Sequence, residues 1–451
     1  MLSRILCIGM LAALLITALS STIQAQSPAP AKAEYPLRNV VDFTVRDGLP
    51  NFFAKLKEGK TVKIGYLGGS ITAQNGWRIK SRAWFQKEFP QAKVEEINAA
   101  IGGTGSELGV FRVDHDVLNK KPDLMFVEFA VNDAGASPEN IRKSMEGIIR
   151  KTWKTLPDCD LCFVYTITEK DIKGLQRGKM KRSASVMEEL ADFYHIPSIH
   201  LGVEVAKLEK EGKLIMKAPE AKVERVSGDE LNQTAKMPTD AKGRIAFSRD
   251  GVHPYPDTGH AIYMAEIVKA MDKIAPAGKV GPHQLGVPLT PKNWEAAKMI
   301  PLEQLAKIEG PGAKLDPTKN RLAQSFSNRM PSLWQLQPGA TMSFKFKGAK
   351  AGIYDLLGPG CGFVEVTIDG KTRKEKRIDG YCIYFRLAII SIADNLEDKE
   401  HEVTLRVLPE SPDKRKILFP RNVADMDKNP AKYVPNDWYP GAIFIVGEQI
   451  K

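Results

Sequence analysis

The stretch Val62-Lys63-Ile64-Gly65-Tyr66-Leu67-Gly68-Gly69-Ser70-Ile71-Thr72 decides the fold. Its first half is a short apolar run of strand character, and the glycine pair that follows permits a tight turn. Ser70 then stands where a strand hands over to the next element, the edge at which open α/β sheets place their ligands. Runs of the same kind recur at 93–97, 124–129, 161–166 and 196–201, separated by helical patterns at 79–89, 110–118, 138–156 and 180–194. Strands alternating with helices predict right-handed βαβ units and a parallel sheet covered on both faces, an α/β domain over 61–274. A Lys-, Glu- and Ala-rich stretch at 205–249, with Pro219 and Pro238, interrupts the rhythm and reads as an insertion, part helix and part loop.

Beyond residue 274 the character changes. Segment 275–333 begins Ala275-Pro276-Ala277-Gly278 and reads as linker and packing segment. From 334 to 451, strand signals dominate, at 342–346, 363–368, 381–392 and 402–407, with turns such as Asp369-Gly370 between them. Short strands spaced by turn residues predict an antiparallel sandwich.

The 451 residues, 43% hydrophobic and 26% charged, exclude a disordered or fibrous chain and leave room for two domains. Residues 1–25 read as a signal peptide: Arg4, an apolar run from Ile5 to Leu19, and Ile23-Gln24-Ala25 as cleavage site. Residues 26–60 are a lead-in, and the expectation is an exported, secreted or periplasmic protein without stable membrane insertion. A formal charge of +11 spread over this length serves solubility or attraction to an anionic glycan. No Lys/Arg stripe interleaved with aromatics suggests nucleic acid. Beyond the signal segment lie Cys159, Cys162, Cys361 and Cys382, read as buried thiols or bridges, with no further Cys or His pair to complete a metal site.

Four motifs fall at strand ends. Gly68-Gly69-Ser70-Ile71-Thr72 offers a hydroxyl above the sheet edge, or simply a Gly-Ser turn. Asn98 to Gly105 is a glycine-rich turn able to present backbone N–H groups to an anion, without the Gly-Lys-Ser/Thr of a phosphate loop. Glu128-Phe129-Ala130-Val131-Asn132-Asp133 closes a strand, and its Asn132 amide is either a turn former or a donor to an oxyanion. In Asp250-Gly251-Val252-His253-Pro254, Asp250 can orient His253 for work on a nucleophile, and His260 follows.

In order and spacing these four motifs resemble the sequence blocks of the SGNH (GDSL-type) hydrolase superfamily over about half the chain. The resemblance implies a flavodoxin-like three-layer α/β/α domain with a parallel sheet, followed here by a smaller C-terminal antiparallel, jelly-roll-like β-sandwich. It implies Ser70 as nucleophile, His253 as base, Asp250 as its orienting acid, and an oxyanion hole from Ser70, Gly103 and Asn132, with no metal or cofactor. Three positions depart from the family pattern: Gly69 and Ile71 stand where the name-giving motif has Asp and Leu, and Ala130 where many members have Gly. Members with an added sandwich resemble carbohydrate esterases, so an acetylated glycan is the expected partner. A glycan O-acyltransferase and a non-catalytic glycan-binding protein remain alternatives. Trp334, Trp438, Tyr439 and Tyr384 are candidates for sugar stacking or for core.

Overall fold

The computed structural model describes residues 35–218 and 239–450, with only the backbone of Val223–Arg225 and Leu231–Gln233 between them. The signal segment read at 1–25 lies outside the described residues.

Six strands form the N-terminal sheet: β1 (Phe43–Thr44), β2 (Thr61–Gly68), β3 (Lys93–Asn98), β4 (Leu124–Glu128), β5 (Asp160–Tyr165) and β6 (Ser198–His200). Their order is β1-β6-β5-β4-β2-β3, and all neighbours are parallel except the short edge strand β1. β2 is flanked by β3 on one side and β4 on the other. The chain therefore reverses its direction of travel across the sheet at β2, which opens a crevice above the strand ends. One face carries Val62, Ile64, Tyr66, Leu124, Phe126 and Val164 into a cluster with Phe52, Trp77, Phe85, Tyr263 and Ile267. Met125 and Val127, of opposite parity on β4, are fully buried on the other side. There the helices Ser106–Asp116, Pro138–Thr155 and Arg182–Phe193 pack side by side. Burial on both faces explains why the inner strands β4 and β5 read as continuous apolar runs, whereas the edge strand β3 keeps Lys93 and Glu96 exposed.

The 205–249 stretch is more strand-like than its composition predicts. Leu214–Lys217 pairs in parallel with Ile245–Ser248, and Val223–Arg225 pairs with Leu231–Gln233. Leu214 and Met216 are buried, which gives the first strand an inner face.

The C-terminal part is an eight-stranded antiparallel sheet around a core that includes Met342, Phe344, Ile353, Val366, Leu405, Trp438 and Ile443. Its longest members, Thr341–Leu357 and Tyr439–Ile450, pair along most of their length. The first half of Thr341–Leu357 also pairs with Lys399–Val407, and its second half with Arg386–Ala393. Segment 275–333 supplies strands of its own to this sheet: Ala297–Pro301 pairs with Tyr439–Ile450, and Lys307–Glu309 with Thr341–Leu357. The linker-like prolines and glycines precede these strands, so the reading there stopped short.

The seam between the two parts is packed. The Phe111 and Phe444 rings stack at 4.7 Å, and the Lys151 amine donates to the carbonyls of Val110 and Ala297 at 2.9 and 2.7 Å. Cys159, Cys162, Cys361 and Cys382 are all buried free thiols. Burial drives each of them upward from the usual thiol range, Cys382 to about 12. Among the described residues no helix is long and apolar enough to cross a membrane.

Candidate active site

Ser70 follows β2 as the first residue of a single helical turn, Ser70–Ala73. The backbone at Gly69 is extended, and a Cβ there would come within 2.0 Å of Asn132 Oδ1. Glycine is required by this close approach, which lets the Asn132 amide lie against the Ser70 turn.

The crevice above β2 gathers the predicted residues. Ser70 Oγ lies 2.8 Å from His253 Nε2, and His253 Nδ1 lies 2.7 Å from Asp250 Oδ2. Asp250 Oδ1 accepts the N–H groups of Val252 and His253 at 2.9 and 2.8 Å, so the carboxylate is fixed at both oxygens. Burial pushes Asp250 upward, but the hydrogen bond and charge of His253 and these two N–H groups outweigh it and hold the acid well below the usual carboxylate range. Asp250 is thus anionic, and it sets the His253 tautomer with the proton on Nδ1 and an acceptor at Nε2 facing the serine.

Gly103 follows β3 with φ +75°, a left-handed backbone that a side chain would strain. Ala99 and Ile101 donate their N–H groups to the carbonyls of Tyr66 and Gly68, which ties the Gly103 loop to the end of β2. Asn132 begins a 3₁₀ turn after β4. The next residue, Asp133, is buried and accepts the Ser106 N–H at 3.0 Å and the Ser106 hydroxyl at 2.5 Å. The Asn132 turn and the start of the helix after Gly103 are therefore one unit. Burial, opposed by those Ser106 bonds, raises Asp133 to about 6.

Sequence reasoning quoted Glu128 and Thr72 without assigning them roles. Glu128 is fully buried beneath the serine turn, where it accepts the hydroxyls of Thr72 at 2.8 Å and Thr166 at 2.7 Å. Burial raises it to about 7, against the bonds from Thr166, Thr72 and the Gly69 backbone. Its only sequence signal is a carboxylate closing an otherwise apolar strand. His260, by contrast, belongs to the core. Its Nδ1 accepts the Trp77 N–H at 3.2 Å, and burial lowers it to about 3.

The candidate stacking aromatics divide. Trp438 is buried with its indole N–H on Asp355 at 2.7 Å, and Tyr439 is buried against Phe385. Trp334 is half-buried, and Tyr384 lies in the irregular stretch before Arg386–Ala393. The expected strand at 381–392 starts later because Asp379, Tyr381 and Cys382 form a hydrogen-bonded turn instead.

Residues 66–262 match the GDSL-like lipase/acylhydrolase family. The matched stretch spans the parallel-sheet part of the chain, and an antiparallel β region follows it. Among curated proteins none matches this chain in sequence. Two solved structures of a two-domain esterase active on acetylated mannans are similar throughout. The one co-crystallised with mannopentaose has a TM-score of 0.67 at 19% identity, covering 92% of this chain and 99% of the other. The second has a TM-score of 0.66 at 19% identity over 90% and 97%. An acetylxylan esterase from Geobacillus stearothermophilus matches at 16% identity over 47% of this chain and 94% of its own, with a TM-score of 0.34.

Proposed function

We propose that the protein is an exported serine esterase that removes O-acetyl groups from a glycan, with Ser70, His253 and Asp250 as its triad. The observation that carries this reading is the unbroken line from Ser70 Oγ through His253 to Asp250, at 2.8 and 2.7 Å. His253 takes the Ser70 proton as Oγ attacks the acetyl carbonyl, because a serine hydroxyl is a weak nucleophile until a base accepts its proton. The tetrahedral oxyanion lies among the N–H groups of Ser70 and Gly103 and the Asn132 amide. His253 then protonates the departing sugar hydroxyl, and Asp250 stabilises the imidazolium. Water repeats the sequence on the acetyl-serine and releases acetate.

The glycan half of the proposal is supported by the likeness, along nearly the whole chain, to an esterase described as active on acetylated mannans. Acetylated mannan is therefore the first substrate to offer. Acetate release from it by wild type, absent with Ser70→Ala, is the expected result. Release that persists in Ser70→Ala contradicts the triad.

A further inference from the structure

One charged side chain of the C-terminal sheet reaches the ester site. Arg386 opens the strand Arg386–Ala393, and its Nη2 comes within 3.9 Å of the position a Cβ on Gly103 would occupy. Its guanidinium is held from behind. Nη1 donates to Asp379 Oδ2 at 2.5 Å, and the group lies over the Tyr381 ring at 5.3 Å. Asp379 is fixed in turn by the Tyr381 N–H, which it accepts at 2.9 Å, and by the Cys382 thiol. The Arg386 side chain keeps 19% of its surface exposed.

Its place beside Gly103 follows from the seam. The helix Ser106–Asp116 begins directly after the Gly103 loop and docks on the sheet that bears Arg386. Phe111 stacks on Phe444, and Glu107 pairs with the Lys350 amine at 2.6 Å. Ile389 and Ser391, from the same strand as Arg386, share a small cleft with Glu107 and Phe111. The Phe111–Phe444 and Glu107–Lys350 contacts thus set the sheet against the helix that follows the Gly103 loop.

We propose that Arg386 is a substrate-binding residue that the C-terminal sheet contributes to the ester site, donating to a hydroxyl or ring oxygen of the sugar that bears the acetyl group. The proposal rests on the glycan-esterase reading above. A guanidinium already anchored by a carboxylate and an aromatic face loses little freedom when it takes a further acceptor. Hydrogen bonds from a charged donor are also stronger than neutral ones. The C-terminal sheet is then part of the specificity of the reaction.

The test compares Arg386→Ala and Arg386→Gln with wild type, in the full chain, on acetylated manno-oligosaccharides and on 4-nitrophenyl acetate. The expected result is a fall of about tenfold or more in the ratio of kcat/KM on the glycan to that on the nitrophenyl ester, carried by KM, with the Gln variant less affected. Equal losses on both substrates overturn the proposal, because Arg386 would then act on the oxyanion loop or the fold. An unchanged ratio overturns it as well. Failure of the underlying reading looks different: wild type itself would cleave the nitrophenyl ester and release no acetate from any glycan, which removes this proposal too.

Discussion

At the scale of single residues, the serine turn rests on a buried acid. Glu128 collects the hydroxyls of Thr72 and Thr166 directly under Ser70, in a place where water cannot share the charge. Its folded value, about 7, lies above the ordinary 4.5. Between those pH values the folded state therefore holds more protons than the unfolded chain, and this group's stabilisation is lost as pH rises. Glu128→Gln removes that loss. The melting temperature of the variant minus that of wild type should become more positive from pH 4.5 to 7, and a pH-independent difference would contradict the assignment. His260 and His200, lowered by burial to about 3 and about 4, act in the opposite sense. They are common to both proteins and cancel in the difference. For Asn132→Ala the expectation is a fall in kcat of about 100- to 1,000-fold with the melt unchanged to within a few degrees, the usual cost of one oxyanion donor. A loss confined to KM would mean that the amide binds substrate instead.

At the scale of elements, the paired strands Thr341–Leu357 and Tyr439–Ile450 bend where Gly348 faces Gly447. Their φ values are +152° and +148°, and a Cβ on Gly447 would stand 2.1 Å from the Lys347 carbonyl oxygen. Gly447→Ala therefore should cost about 1–3 kcal/mol, read as a lowered denaturant midpoint at unchanged slope. A neutral substitution would show that the bend relaxes freely. The same bend marks where sequence reading ran out. The expected strand at 342–346 stopped short of this bend, whereas the real strand continues through it to Leu357. Lys371–Lys376 was missed because its residues, all charged except Thr372, are half-buried or exposed and carry no apolar alternation. It forms because the Asp369-Gly370 turn, with φ of 47° and 78°, folds it back onto Phe363–Ile368. The inner parallel strands were legible to within a residue or two because both their faces are buried. Ser70, Gly103, Asn132 and the Asp250–His253 pair were legible as motifs because they sit at strand ends or share a tight turn. Glu128, Asp133 and Arg386 act through burial and long-range contact, which spacing along the chain does not encode.

At the scale of the whole molecule, the N-terminal α/β part and the C-terminal sheet share one packed seam. The Lys151 amine, buried and lowered by that burial, donates to carbonyls from both sides of it and pairs with Asp114. A Cβ at Gly147 would strike the Trp294 backbone at 2.7 Å, so the approach is close along the helix Pro138–Thr155 as well. The two parts should therefore unfold in a single calorimetric transition. Phe444→Ala, which removes the ring stacked on Phe111 and Tyr354, should lower that transition as a unit, by about 3–5 kcal/mol of stability. Two resolved transitions in wild type would mean that the seam is weaker than its packing indicates.

The central claim is that Ser70, activated by His253 and Asp250, attacks acetyl esters on a glycan. Its most direct test is acetate release from acetylated mannan by wild type and Ser70→Ala, each checked for its native melt. The account predicts release by wild type and a loss of about 10⁴-fold or more in the variant. Release from glycan at comparable rates by both proteins, or by neither, would contradict it.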